Sequence, residues 1–180
     1  MNPVGKMRIK QTLCRGLVAV TLALLSIAAH AERLSGTVVD ISDGDTLRIK
    51  SDDIHKIRLK GIDAPEMAQS FGPESRRHLV ELTFMKEAVA DCPQRDHYGR
   101  LICTIYIADP ACATSNCPMT YDVNLAQVKA SLAWWYRRYA DEQSPVQRAS
   151  YELAEERMRL ARLGLWSRNE AMAPWAWRRR

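Results

Sequence analysis

Residues 36–62, GTVVDISDGDTLRIKSDDIHKIRLKGI, alternate apolar and polar positions in three short runs separated by turn signals. Val38, Val39 and Ile41 mark a first strand after a break at Gly36. Leu47 and Ile49 mark a second, with Ser42-Asp43-Gly44-Asp45 as the hairpin turn between them. A third strand is expected from Ile54 to Ile62, where Ile54, Lys56, Arg58 and Lys60 alternate with His55, Ile57, Leu59 and Gly61. One face of it is apolar in its centre and the other basic, a period of two that belongs to a half-buried sheet and not to a helix.

Beyond this run Pro65 ends the strand, and Gly72-Pro73-Glu74 opens a helix with proline in its first turn and a carboxylate beside it. Leu79, Leu82 and Met85 are its inward positions. Strands near 87–91 and 100–107 flank a turn at Arg95-Asp96-His97-Tyr98-Gly99-Arg100, and a polar loop fills 109–120. Asp122 is placed to cap a helix running from Val123 to Trp135. Ser144-Pro145-Val146-Gln147 forms a capping box for a last helix that runs to Leu163 and stops at Gly164. In that helix Val146, Ala149, Leu153 and Leu160 read as the apolar stripe, and Glu155 with Arg159 as a pair on the solvated side. Trp134, Trp135, Tyr136 and Tyr139 read mostly as core, with one ring exposed in a cleft. The fold class expected is α+β, mainly β: a five-stranded barrel of the OB type with three α-helices.

Residues 1–31 carry a basic start (Lys6, Arg8, Lys10, Arg15), a 14-residue apolar run from Gly16 to Ala29, and Ala29-His30-Ala31. This order is that of a secretory signal peptide cleaved after Ala31, the run being shorter than the roughly 18 to 20 residues that span a bilayer. An uncleaved anchor is the alternative. Without the leader, 22 basic residues face 21 acidic ones, so the net charge of +5 for the whole chain is mostly the leader's. Overall basicity therefore says nothing about nucleic acid, and local placement of charge must carry that case. The remaining 149 residues suffice for one domain, expected over 32–168, followed by a tail, 169–180, whose last residues Ala176-Trp177-Arg178-Arg179-Arg180 are expected to fray. The expected location is the periplasm or the medium, as a monomer with no stable membrane association once the leader is removed.

Cys14 leaves with the leader, and Cys92, Cys103, Cys112 and Cys117 remain, an even number in a compartment where disulfides persist. Cys92 and Cys103 sit symmetrically about the 95–100 turn, which brings them opposite each other, and Cys112 and Cys117 bracket a four-residue loop. Two disulfides follow. A zinc site is the rival reading, but the spacings are not paired C-x2-C and no histidine is suitably clustered.

Charged residues concentrate at the expected turns and strand ends: Asp43-Gly44-Asp45-Thr46, Arg58 with Asp63, Pro65-Glu66, and Tyr98-Gly99-Arg100. Each alone is ordinary, since Asp-Gly is the commonest hairpin signal. Together they are the parts needed to hydrolyse a phosphodiester with one hard cation. Asp45 and Asp63 supply oxygen ligands, Glu66 orients or deprotonates water, and Arg58 and Arg100 grip phosphate oxygens with planar guanidinium forks.

The series Asp43-Gly44-Asp45-Thr46, Arg58-Leu59-Lys60-Gly61-Ile62-Asp63-Ala64-Pro65-Glu66, Phe71-Gly72-Pro73-Glu74 and Asp96-His97-Tyr98-Gly99-Arg100 resembles the staphylococcal nuclease family in order and spacing, from about Val38 to Ser167. The resemblance implies Arg58, Glu66 and Arg100 as the catalytic trio. It implies calcium held by Asp45, Asp63 and the backbone carbonyl of Ala64, with Asp43 supporting the site through water. The substrates it implies are DNA and RNA, single-stranded or locally open, cut to 3′-phosphate and 5′-hydroxyl ends. Departures from the family pattern fall at Ala64, where threonine is usual, at the short 67–71 loop, and at His97, where lysine is usual; the last two bear on how substrate is held. Tyr98 reads either as a partner of the bound nucleotide or as a hairpin tyrosine packed on the barrel. So few carboxylates imply calcium affinity on the order of 10⁻⁴ to 10⁻³ M. The competing function is a catalytically inactive OB-fold module that binds nucleic acid through the basic strand face.

Overall fold

The computed structural model describes residues 32–114, 116–167 and 171–180; the leader expected at 1–31 lies outside them. Strands β1 (Glu32–Ile41), β2 (Thr46–Lys50) and β3 (Ile54–Leu59) form the antiparallel meander read from the alternation. The other edge of β1 takes β5 (Glu87–Arg95), which pairs with β6 (Leu101–Ala108). The start of β6 returns parallel to β3, Ile57 opposite Leu101 and Leu59 opposite Cys103, and this closes a five-strand ring. The end of β6 pairs instead with β7 (Met119–Asp122), outside the ring. Val38, Leu47, Ile49, Ile57, Leu101 and Ile105 point inward and are fully buried, giving the barrel its core. The architecture is mixed α+β and mainly sheet, with three main helices: α1 (Gly72–Thr83), α2 (Val123–Lys129) and α3 (Pro145–Leu160).

The structure joins Cys92 to Cys103 across the β5–β6 hairpin and Cys112 to Cys117 in the following loop. The first bond faces the barrel interior, where both cysteines are buried.

Several boundaries differ from expectation, each for a local reason. Gly36 does not precede β1 but lies within it, where a Cβ would sit 2.2 Å from the Lys50 carbonyl oxygen of β2, so glycine there marks a close backbone approach and not a strand break. The third strand stops at Leu59. Gly61, at φ 74°, turns the chain into a separate short strand β4 (Ile62–Asp63). The helix expected over 123–135 ends at Lys129, since Ser131 adopts φ 59° and bonds the Leu163 carbonyl through its hydroxyl. Trp134–Trp135 then form β8, paired with β4, and both rings are buried. Met85 does not face inward: it sits in the left-handed turn after α1 and is exposed, while Ser75 and Thr83 are buried with Leu79.

In α3 the capping box at Ser144 is present, but the helix ends at Leu160 and buries a different face. Tyr151, Ala154 and Glu155 point inward, and Val146, Ala149, Leu153 and Leu160 are exposed. Glu155 is therefore not on the solvated side. Its carboxylate accepts from the Trp135 backbone N–H at 3.1 Å and pairs with Arg137 and, at 3.6 Å, Arg159. The Tyr151 hydroxyl donates to Asp122, whose side chain also caps α2 through the Leu125 N–H. The tail does not fray among its described residues: Pro174–Trp177 form a one-turn helix, α4, that continues to Arg178 in the cleft described next. Among the described residues no helix is long and apolar enough to cross a membrane.

Candidate active site

Two buried amides on α2 hold the barrel rim in place. Asn124 accepts from the Ile105 N–H and donates Nδ2 to the carbonyls of Lys60 and Cys103, satisfying backbone groups where β3 and β6 part. Gln127 donates Nε2 to the carbonyls of Gly44 and Ser75, tying the β1–β2 loop to α1, and its Oε1 meets His78. A Cβ on Gly44 would lie 1.9 Å from the Ser75 hydroxyl, so only glycine lets that loop sit so close. Neither amide was picked out as functional from the sequence. The available signal was a polar residue on the apolar side of a helix, at 124 and again at 127.

The loop so fixed carries Asp43 and Asp45. Asp43 accepts the Asp45 N–H at 3.0 Å, and Asp45 Oδ2 accepts the Ala64 N–H at 2.6 Å. Asp63, fully buried on β4, lies beside it. Between them stands Arg58. Its Nη2 lies 2.8 Å from Asp63 Oδ1 and 3.1 Å from Asp45 Oδ2, while Nη1 donates to the carbonyls of Leu59 and Ile62. The short Lys60-Gly61 turn sets both carbonyls within reach of one guanidinium.

Glu66 sits on the loop between β4 and α1. The Gln69 N–H donates to the Glu66 carbonyl at 2.8 Å, and a Cβ on Gly72 would lie 2.1 Å from that same carbonyl oxygen, so the loop folds tightly onto the start of α1. The β5–β6 turn supplies the far wall. Asp96 accepts from the backbone N–H groups of Tyr98 and Arg100 and takes Arg100 Nε at 2.7 Å. Burial works to raise the Asp96 pKa, but the Arg100 bonds outweigh it and hold the carboxyl below its ordinary value. Tyr98 is 74% exposed, its ring 5.6 Å from the Arg100 guanidinium carbon, so it is not packed on the barrel.

The charged residues of these loops and strand ends line one cleft of about 560 Å³. Arg58, Glu66, Arg100, Asp43, Asp45, Asp63, Ala64 and Tyr98 are thus brought together, joined by Tyr136 and Tyr139 from the segment after β8. The residue not anticipated is Arg178 of the tail. Its Nη2 lies 2.7 Å from Asp63 Oδ2, and its Nη1 lies 2.7 Å from Glu66 Oε1.

The donors available to a cation here are hard oxygens, which suits calcium or magnesium and not a thiophilic metal. Among the described residues no cluster of three His, Cys, Asp or Glu side chains stands ready as a metal cage. A cation would therefore draw on two carboxylates completed by carbonyl and water oxygens. The charge balance fits one: burial, against the pull of Arg58 and with the push of Asp43 and Asp63, leaves the Asp45 carboxyl raised to about 7.

That shift has a consequence for the metal-free protein. The folded state holds a proton on Asp45 that the unfolded chain, with an ordinary value of 3.8, has released. The associated stability is full below about pH 4 and is lost as pH rises through 7, at on the order of 1 kcal/mol per pH unit. Urea unfolding in chelator from pH 5 to 8 should show this fall relative to Asp45→Asn, which cannot titrate. Parallel profiles for the two proteins would rule the shift out.

Comparison with known proteins agrees with the geometry. A family model described as "Staphylococcal nuclease homologue" matches residues 56–168, more than half of the chain. A relative named "Micrococcal nuclease" from Shigella flexneri is 36% identical over 166 residues, covering 92% of this chain and 91% of its own. "Protein ParB" of Escherichia coli is 36% identical over 163 residues, with 89% of each covered. An "Uncharacterized endonuclease" of Haemophilus influenzae is 32% identical over 167 residues, 91% of this chain and 84% of its own. With the ring of five strands, the arginine seated between two buried aspartates and matches of this length, the chain belongs to the staphylococcal nuclease family.

Proposed function

We propose that this chain is an exported, calcium-dependent nuclease that hydrolyses phosphodiester bonds of DNA and RNA, leaving 3′-phosphate and 5′-hydroxyl ends. The observation that carries the reading is the convergence of Arg58, Asp45, Asp63, Glu66 and Arg100 on one open cleft. Asp45 and Asp63, with the Ala64 carbonyl, would hold calcium, and Asp43 would support them through water. Bound there, calcium supplies positive charge opposite a phosphate that becomes more negative as it is attacked.

The remaining work falls to side chains of the chain itself. Glu66, on the solvent-open side of the cleft, accepts the proton of the attacking water. Arg100 donates to the non-bridging phosphate oxygens, and Arg58 adds positive charge beside the two aspartates it orients. Tyr98, exposed at the cleft mouth, offers a ring for stacking or a hydroxyl for hydrogen bonding to the nucleotide. Two disulfides support an oxidising destination, as a signal peptide at 1–31 requires. A weak calcium site would leave the enzyme idle in the cytosol and competent outside it.

The test is cleavage of labelled single-stranded DNA and RNA by the oxidised protein in millimolar calcium and in chelator, with the new ends mapped. Calcium-dependent cleavage to 3′-phosphate ends is expected. Undiminished cleavage in chelator, or 5′-phosphate ends, would overturn the mechanism. Binding without cleavage would favour the silent OB-fold module.

A further inference from the structure

The tail reaches the cleft through three separate attachments: one to the loop that carries Glu66, one to an aromatic ring lining the cleft, and one to Asp63 and Glu66 themselves. The Met172 carbonyl accepts from Gln69 Nε2, and Gln69 is itself bonded to the Glu66 backbone at both its N–H and its carbonyl. Trp175 stacks on Tyr136, planes 14° apart and centroids 5.1 Å apart, and Tyr139 meets the edge of Tyr136 at 5.2 Å. Arg178 bridges Asp63 and Glu66. Pro174 is buried beneath this path and begins the single helical turn that sets Trp175 and Arg178 three residues apart on one side.

We propose that residues 171–180 form an intramolecular plug, in which Arg178 occupies the cation seat and Trp175 occupies the face of Tyr136 on which an unstacked base would lie. The plug rests on the reading of Asp63 and Glu66 given under Proposed function. A guanidinium satisfies two carboxylates much as a bound cation does, with charge-assisted hydrogen bonds in place of ligation. It cannot share Asp63 with calcium at the same time, because both Asp63 oxygens already face Arg178 or Arg58. An indole on Tyr136 likewise excludes a base by occupying the same π-face. Calcium and single-stranded nucleic acid therefore act together in lifting the tail, and each makes room for the other. The Arg178 side chain is 44% exposed, so the contact is exchangeable and not a permanent seal. A plug seated nine-tenths of the time lowers the apparent affinity of a competing ligand about tenfold.

The experiment is calcium titration by calorimetry, without nucleic acid, on the purified chain and on Arg178→Gln and Trp175→Ala, with thermal unfolding to verify that each is folded. Hydrogen exchange of the 171–180 amides is followed in parallel, with and without saturating calcium. Arg178→Gln should bind calcium about tenfold more tightly than the parent, Trp175→Ala should shift in the same direction, and calcium should raise exchange across the tail of the parent. Equal or weaker binding by Arg178→Gln, or tail exchange indifferent to calcium, would overturn the plug while leaving the calcium reading intact. Absence of calcium binding in every form, Arg178→Gln included, would remove the calcium reading and the plug with it.

Discussion

Arg100→Ala is expected to lower kcat on single-stranded DNA by about 10² to 10³ while leaving the protein folded, the loss that follows removal of one preorganised donor to a transition state. The two arginines of the cleft are not equivalent. Arg58 has Nη1 on two backbone carbonyls and Nη2 on two carboxylates, so it is built into the wall. Arg100 commits its Nε to Asp96, and its Nη1 and Nη2 have no hydrogen-bond partner among the described residues. Those two nitrogens are free to form the bidentate contact with phosphate. The loss should appear in kcat more than in KM, because charge on the phosphate oxygens grows on the way to the transition state. Arg100→Lys should recover little, since an ammonium cannot reproduce the planar fork while its stem also reaches Asp96. Glu66→Gln should fall in the same class, its neutral amide being no base for water. A folded Arg100→Ala protein with unchanged kcat would take this residue out of the mechanism.

Glu155→Ala is expected to cost about 2 to 4 kcal/mol of stability, read by urea or thermal unfolding. Glu155 is 1% exposed, and one of its oxygens satisfies the buried N–H of Trp135, the residue that pairs with Ile62 of β4. Alanine leaves that N–H without a partner and opens space between α3 and β8. Orphaning the donor alone costs roughly 1 to 3 kcal/mol. Its partner Arg137 is half exposed and regains water, so the lost ion pair adds little. Glu155→Gln keeps an acceptor of the same shape and should lose well under half as much. A cost below about 0.5 kcal/mol for alanine would show that the carboxylate contributes nothing to the joint.

The effect should also reach the site. β4 carries Asp63, and its only strand partner among the described residues is β8, which Glu155 holds to α3. A loosened β8 leaves Asp63 less well placed beside Arg58. This is why a helix on the far side of Trp135 matters to a cleft it does not line.

Alternation in 36–62, the turn residues of 42–45 and 95–100, and the caps at Asp122 and Ser144 are local devices. Each is specified by residues within a few positions of itself, and so strand, turn and helix starts were legible from the sequence. The symmetric placement of Cys92 and Cys103 about a hairpin is local in the same sense. The acidic and arginine residues were legible as a set because loops between such strands collect at the barrel rim, where chemistry is carried.

What was not legible depended on partners distant in sequence. The apolar spacing of Val146, Leu153 and Leu160 is as regular as a core stripe, yet α3 turns Tyr151, Ala154 and Glu155 inward, because Asp122 offers Tyr151 a hydrogen bond there and the Trp135 N–H offers Glu155 another. The short run after Leu132 reads as helix until β4 is known to lie beside it and pair with it. Arg178 reads as one of three loose arginines until the barrel brings a buried aspartate and a glutamate within 2.7 Å of it. The sequence by itself determined the local conformations and the chemical parts, since these follow from neighbours along the chain. The tertiary structure alone decided which face of α3 is buried, which amides hold the rim and what occupies the cleft, because those outcomes are set by hydrogen bonds and charge pairs between residues up to 115 positions apart.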